Sequence, residues 1–228
     1  MTPIGDAVDE GVGCIAGFVN AYVVEDPSGT CLIDTTMSKS AKPVRKAFER
    51  AGVPLSQIRS ILLTHQHIDH VGGAAEVQGS SQAIVACHAA DAPFVDGRTP
   101  PKLPALLRLF VKVRPVGVQR TLGQGDRVGP LEVIFVPGHT VGEVAFYHAG
   151  RKLLFSGDAV VERKGVLTLP APRFAADLRQ AVESLRLLRQ LDVETLLPGH
   201  GVPVRKNVQG LLDDLIARAP REFLGAST

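Results

Sequence analysis

Four residues with metal-ligand side chains lie within six positions of one another, directly after a short apolar segment. The segment, residues 58–64, predicts a buried strand, and the cluster after it consists of His65, His67, Asp69 and His70. Side chains two positions apart on an extended chain share a face, so His65 and His67 can hold one ion together. As the chain turns, Asp69 and His70 can face a second ion. Burial without an ion would leave polar atoms unpaired, so this cluster favours a scaffold that builds a metal site where a strand ends.

Three later turns resemble this segment in sequence pattern. Each turn follows a predicted strand, contains glycine and presents one side chain that can bind a metal. The turns are Pro137-Gly138-His139-Thr140, Ser156-Gly157-Asp158-Ala159 and Pro198-Gly199-His200-Gly201. Binding sites commonly assemble from loops at one end of a sheet. We therefore expect His139, Asp158 and His200 to join the first cluster in one site.

The order of the predicted elements favours an α/β fold. The clearest helix places Leu178, Val182, Leu185 and Leu188 on one face. Strands are predicted over residues 17–25, 30–34, 58–64, 83–86, 131–136, 143–147, 152–156 and 193–197, and helices over 40–51, 72–77, 174–191 and 208–217. Two similar halves of this kind predict two sheets packed on each other with helices outside, in a single domain of residues 1–228.

Composition excludes several classes of function. A net charge of +2 and an aromatic content of 5% provide neither the basic surface nor the stacking side chains of a nucleic-acid-binding protein. No apolar stretch is long enough for a transmembrane segment, and the first residues lack the apolar run of a signal peptide. Cys14, Cys31 and Cys87 are odd in number and lack metal-like spacing, so we expect reduced thiols in a cytoplasmic protein.

The HxHxDH run at residues 65–70, the later GHT, the GD after a strand and the final PGH occur in an order that resembles the metallo-β-lactamase-fold hydrolase superfamily. The resemblance covers about residues 17–204. It implies an αββα sandwich, in which two mixed β-sheets are flanked by helices and the site lies at one edge of the sheets. Position by position, it implies a first metal held by His65, His67 and His139, a second held by Asp69, His70 and His200, and Asp158 bridging both. The family usually binds zinc, so we expect two divalent ions, zinc first, with iron or manganese as alternatives.

Such a pair of ions implies hydrolysis. Two ions about 3.5–4 Å apart can share a hydroxide, because each lowers the pKa of bound water toward roughly 7. The hydroxide attacks a carbonyl or phosphoryl centre, and Asp69 is the expected catalytic residue that orients it and handles its proton. Beyond the ligands, Asp34 is expected to fix a histidine tautomer, with Thr140 as a weaker candidate. We expect His88 and His148 to play no part in the site.

We expect the substrate to be a small molecule with an ester, thioester or lactone bond. The bridging aspartate and the absence of a signal peptide disfavour a primary β-lactamase. Residues 158–161 lack the tyrosine that quorum-quenching lactonases often carry there, and the 28 residues after His200 are too few for the glutathione-binding domain of glyoxalase II. Three alternatives stay open: β-lactamase or phosphodiesterase activity, a non-catalytic metal-binding domain, and an iron-dependent persulfide dioxygenase that uses His65, His139 and Asp158.

Residues 97–125 do not fit the core pattern. This segment contains six basic residues and no acidic one, together with several leucines and Phe110. It is a basic amphipathic insert. Four interpretations stay open: a cap that binds an anionic or acyl substrate, a solvated helix, a contact in a homodimer, or a helix at a membrane surface.

Overall fold

The computed structural model describes residues 2–27, 29–37, 39–100 and 114–225. The chain divides into two units, Met1–Thr121 and Leu122–Thr228. Residues 101–113 of the predicted insert lie outside the described residues, so its four interpretations stay predictions. Each unit contains a mixed β-sheet and helices, which confirms the predicted α/β class.

The sheet of the first unit carries its strands in chain order across the sheet. Its strands are β1 (Asp6–Asp9), β2 (Val12–Ile15), β3 (Ala21–Val24), β4 (Thr30–Ile33), β5 (Ile58–Leu62), β6 (Ile84–His88) and β7 (Arg120–Leu122). Strands β1 to β4 pair antiparallel, whereas β4, β5 and β6 are parallel. Parallel neighbours require crossover connections, and helices supply them here.

The helices of the first unit are α1 (Lys42–Ala51) between β4 and β5, α2 (Ile68–Val71) and α3 (Ala74–Ser81) between β5 and β6, and α4 (Ala92–Val95) after β6. Helix α1 buries Val44, Ala47 and Phe48, and it ends at Gly52 in the left-handed conformation that glycine tolerates. Phe48, Leu32 of β4 and Ile58 and Ile61 of β5 belong to one apolar core. Burial of one such side chain stabilises the fold by roughly 1.5–3 kcal/mol.

The second unit has its own sheet, in the spatial order β14-β11-β10-β9-β8. Its elements are β8 (Arg127–Val128), β9 (Leu131–Phe135), β10 (Val144–His148), β11 (Leu153–Gly157), a hairpin of β12 (Val161–Arg163) and β13 (Val166–Thr168), helix α5 (Leu178–Arg189), β14 (Thr195–Pro198) and helix α6 (Val208–Leu224). Strand β10 is antiparallel to β9 and β11, and β11 is parallel to β14. Strands β9, β11 and β14 therefore run in one direction.

The structure differs from the predicted elements in two instructive places. Helix α5 begins at Leu178 rather than at Phe174, because the Asp177 side chain accepts hydrogen bonds from the backbone N–H groups of Arg179 and Gln180 and so caps the helix. The hairpin β12–β13 was not predicted. Its loop, Lys164-Gly165, has positive φ at both positions, as a two-residue hairpin turn requires.

Among the residues that the structure describes, every helix is too short or too polar to span a lipid bilayer. Cys14, Cys31 and Cys87 are all buried.

Candidate metal centre

The first unit gathers its histidines at the carboxyl ends of parallel strands. Strands β4 and β5 point the same way, so the residues that follow them, Asp34 and Thr64-His65, lie at one edge of the sheet. The His65 ring lies 4.8 Å from the His67 ring and 4.1 Å from the His70 ring, measured between centroids. The one-turn helix α2 carries His70 beside Asp69, and the ligand atoms of these two residues lie within 4.8 Å of each other. The predicted first cluster thus exists as a compact group of ligand atoms.

Hydrogen bonds that start at Asp34 set the tautomer of two of these histidines. Its carboxylate accepts hydrogen bonds from Thr64 N–H at 2.9 Å, from Thr64 Oγ1–H at 2.8 Å and from His70 Nδ1–H at 2.8 Å. A carboxylate only accepts, so the proton of neutral His70 lies on Nδ1. The Thr64 hydroxyl uses its proton on Asp34, so the 3.0 Å contact between Thr64 Oγ1 and His65 Nδ1 requires an Nδ1 proton on His65 as well. In these tautomers both rings can offer the lone pair of Nε2 to a metal, and the contacts are those that the tautomer-fixing role predicted for Asp34 requires.

The backbone at Asp34 shows that this carboxylate is held in place. Asp34 has φ of 57°, in the left-handed region that costs free energy for side chains other than glycine, asparagine and aspartate. Asp34 is also almost fully buried. Its backbone N–H donates to the Leu62 carbonyl at the end of β5. Aspartate tolerates this conformation better than most side chains, and burial and the backbone bond hold in place the residue that orients two histidines.

The second unit places its three candidate ligands at one edge of its own sheet. Because β9, β11 and β14 run in one direction, His139, Asp158 and His200 all follow carboxyl ends of strands. Asp158 Oδ2 lies 3.5 Å from His139 Nε2 and 3.5 Å from His200 Nε2. The turns are tied together by a hydrogen bond of 2.8 Å from Gly199 N–H to the Gly157 carbonyl.

These separations match the chemistry of a metal-binding donor set. Ligands that each lie about 2.0–2.1 Å from a tetrahedral zinc ion are about 3.4 Å apart. The two separations around Asp158 are close to that value and longer than a charge-assisted hydrogen bond. Imidazole nitrogens with a fixed tautomer and carboxylate oxygens are donors that zinc, iron and manganese accept. The residues present in each unit therefore fit divalent-metal ligands.

Glycine makes the turn before His139 possible. Gly138 has φ of 143°, and a Cβ built on it would lie 2.3 Å from the backbone nitrogen of Ala181 in α5. The turn is held against the residues before this helix, because Ala176 N–H and Asp177 N–H donate to the carbonyls of His139 and Gly138. The position of His139 thus depends on close packing of a glycine against a helix.

Two buried acids beside the ligands were missed in the sequence. The Asp91 carboxylate accepts a hydrogen bond from Gln66 N–H at 3.0 Å, between His65 and His67. The Glu143 carboxylate accepts one from Asp158 N–H at 2.8 Å. Glu143 directly precedes β10 and Asp91 lies three residues after β6, so an acid near the end of an apolar strand is the available sequence signal, and it is a weak one.

The two remaining histidines lie on strands. His88 ends β6, its Nδ1 accepts a hydrogen bond from Ala90 N–H at 3.2 Å, and burial lowers the pKa of its imidazole. His148 ends β10. The side-chain role predicted for Thr140 stays a prediction.

Comparison with known proteins agrees with this reading. A family model described as the metallo-beta-lactamase superfamily matches residues 14–200. The probable metallo-hydrolase YflN of Bacillus subtilis (strain 168) is 30% identical over 237 residues, covering 90% of this chain and 89% of YflN. A hydroxyacylglutathione hydrolase of Cereibacter sphaeroides (strain ATCC 17029 / ATH 2.4.9) is 37% identical over 186 residues, which are 79% of this chain but 61% of that hydrolase.

Solved structures show the same fold. The metallo-beta-lactamase family protein TTHA1429 of Thermus thermophilus matches with a TM-score of 0.74 at 23% identity, over 93% of this chain and 80% of that one. TTHA1623, solved in a di-iron-bound form, matches with a TM-score of 0.68 at 31% identity, over 85% of this chain and 91% of that one. Since the family model spans most of the chain and YflN aligns with nearly all of it, this chain belongs to the metallo-β-lactamase superfamily and is a metallo-hydrolase with candidate metal-binding residues in both of its units.

Proposed function

We propose that this metallo-hydrolase binds two divalent cations, zinc first, and hydrolyses small ester, thioester or lactone substrates. In this proposal His65, His67 and His139 hold one cation, Asp69, His70 and His200 hold the other, and Asp158 binds both. The assignment follows the resemblance of the motifs to those of the family. The observation that carries it is the hydrogen-bond chain from Asp34, which holds His65 and His70 in the tautomer that metal ligation requires.

The cations, when bound, would polarise the scissile carbonyl and lower the pKa of a water toward about 7. The residues of the chain supply the remaining parts. Asp34 and Thr64 hold two imidazoles in fixed orientations, so little reorganisation is needed when the substrate arrives. Asp69, on the first turn of α2, is the residue we propose to accept the proton of the attacking water.

Two relatives support the finer parts of the proposal. The Cereibacter sphaeroides relative is named for the hydrolysis of hydroxyacylglutathione, which supports an acyl substrate, although this chain spans only 61% of that enzyme. The di-iron form of TTHA1623 supports two metals and makes iron the alternative to zinc. The three buried thiols support the proposal that the chain works in a reducing compartment such as the cytoplasm.

The proposal is tested by metal content and turnover measured on one preparation. We expect two metal ions per chain and hydrolysis of at least one member of a panel of lactones, thioesters and esters. One iron per chain with oxygen uptake on a persulfide would instead indicate a dioxygenase. Metal without turnover on this panel, extended by β-lactams and phosphodiesters, would indicate a non-catalytic domain.

A pair of variants tests the ligand assignment. Asp158→Ala should remove most of the affinity for one metal ion and most of the activity. His88→Ala is the control, because His88 makes a local backbone contact on β6, and it should retain metal content and turnover. Near-wild-type turnover of Asp158→Ala, or a large loss of metal in His88→Ala, would refute the assignment.

A further inference from the structure

Glu143 is a fully buried acid between the turns that present His139 and Asp158. It follows the His139 turn and directly precedes β10. Its backbone carbonyl accepts a hydrogen bond of 3.0 Å from Val136 N–H, at the end of β9. The backbone of Glu143 therefore closes the loop that carries His139.

The register of the sheet brings the side chain of Glu143 to Asp158. Strands β10 and β11 pair antiparallel with Phe146 opposite Phe155. Each step back along β10 matches one step forward along β11, so the start of β10, which Glu143 precedes, lies near the end of β11, which Asp158 follows. The contact is a hydrogen bond of 2.8 Å from Asp158 N–H to Glu143 Oε1.

Burial of a carboxylate at this place is energetically unfavourable. Its transfer from water costs several kcal/mol unless hydrogen bonds compensate. In return, a hydrogen bond to an ionised acceptor is roughly twice as strong as one between neutral groups. Gly157, one residue before Asp158, has φ of 53°, so the chain turns sharply there. The bond to Glu143 fixes the residue that follows this turn.

We propose that Glu143 is a positioning residue, which holds the carboxylate of Asp158 3.5 Å from His139 Nε2 and so sets the affinity for the cations that Asp158 binds. One side chain thereby couples the loops of two ligands. This inference rests on the proposed function, because it takes Asp158 as a ligand. Glu143 acts through the backbone of Asp158 and does not itself bind metal or substrate.

The test measures zinc affinity of the full chain, stripped of metal and titrated with Zn²⁺ against a chromophoric chelator. Glu143→Leu removes the acceptor at similar size and should weaken zinc binding at one or both positions by about 10- to 100-fold. Glu143→Gln keeps an amide oxygen in reach of Asp158 N–H and should recover most of that loss. Glu132→Leu, the same substitution in an exposed pair with Arg127, is the matched control and should bind zinc like the wild type.

A second measurement does not depend on the folding of the leucine variant. In the metal-free protein, the amide proton of Asp158 donates to the Glu143 carboxyl group, so its NMR resonance should move when Glu143→Gln replaces that acceptor by an amide oxygen. An unchanged Asp158 resonance, or wild-type zinc affinity in a folded Glu143→Leu, would overturn the inference. If Asp158→Ala loses zinc while Glu143→Leu does not, the inference alone fails. If Asp158→Ala binds zinc like the wild type, the proposed function fails and the inference falls with it.

Discussion

Replacement of Asp34 by asparagine should weaken metal binding while leaving the fold intact. Asparagine has the same shape and tolerates the positive φ of 57° found at this position. The chemistry changes, because one acceptor oxygen becomes an NH₂ donor. If the amide oxygen keeps the bond from Thr64 N–H, the NH₂ group faces the Thr64 hydroxyl and His70 Nδ1. The NH₂ group is a donor, and it then faces two other donors, the Thr64 hydroxyl and His70 Nδ1–H.

The conflict is relieved only by moving protons on the histidines. His70 can accept from the new NH₂ group at Nδ1 if its proton moves to Nε2, and the Thr64 hydroxyl can then turn toward His65 Nδ1 with the same consequence for that ring. A ring protonated on Nε2 cannot bind a metal there. Restoring the binding tautomer leaves a buried donor without an acceptor, at a cost of about 1–3 kcal/mol, which is about 5- to 150-fold in affinity.

The assay is a zinc titration of the metal-free Asp34→Asn variant, with thermal unfolding of the same preparation. Zinc affinity should fall by about 5- to 150-fold, while the metal-free melting temperature should shift by no more than about 4 °C. Asp126→Asn, which changes a carboxylate that accepts from Gly123 N–H, is the control and should bind zinc normally. Wild-type zinc affinity in a folded Asp34→Asn would show that the Asp34 hydrogen-bond chain does not govern ligation.

Two further predictions concern the stability of the fold. Gly138→Ala should lower the free energy of unfolding by about 1–3 kcal/mol, because its Cβ would meet the backbone of Ala181 at 2.3 Å. Gly79→Ala, in open space on α3, is the control and should raise the free energy of unfolding by about 0.5–1 kcal/mol. Equal melting temperatures for the two variants would contradict the packing argument. Burial raises the pKa of Cys87 to about 12 and that of Cys31 to about 11, so the folded chain keeps protons that the unfolded chain releases above pH 9. The free energy of unfolding should therefore fall as pH rises above 9, by up to about 1.4 kcal/mol per pH unit for each thiol. Urea unfolding at pH 8 to 10.5 measures this slope, and Cys87→Ala should reduce it. An unchanged slope in the variant would refute the argument.

Local sequence signals were sufficient for most elements of the fold. The apolar runs at β5, β9 and β11 and the apolar face of α5 depend on periodicity, which a linear sequence displays. The hairpin β12–β13 and the start of α5 depend on a two-residue turn and on one capping aspartate. Such short signals are outweighed in a sequence by the longer apolar pattern beside them.

The ligand residues themselves were also evident from their order. His65, His67, Asp69 and His70 are adjacent in the chain, and the turns at His139, Asp158 and His200 follow strands. The residues that orient them were less evident. Asp34 was found because it ends a strand, whereas Glu143 was not, since its partner Asp158 is fifteen positions away and is reached only through the register of β10 and β11.

The sequence by itself determined which side chains can bind a metal and which strands end at them, because donor chemistry and apolar periodicity are properties of neighbouring residues. Only the tertiary structure decided which nitrogen of His65 and His70 carries the proton and how Asp158 is held. Those facts depend on hydrogen bonds between residues 15 to 36 positions apart, and such bonds form only once strand pairing has brought the partners together.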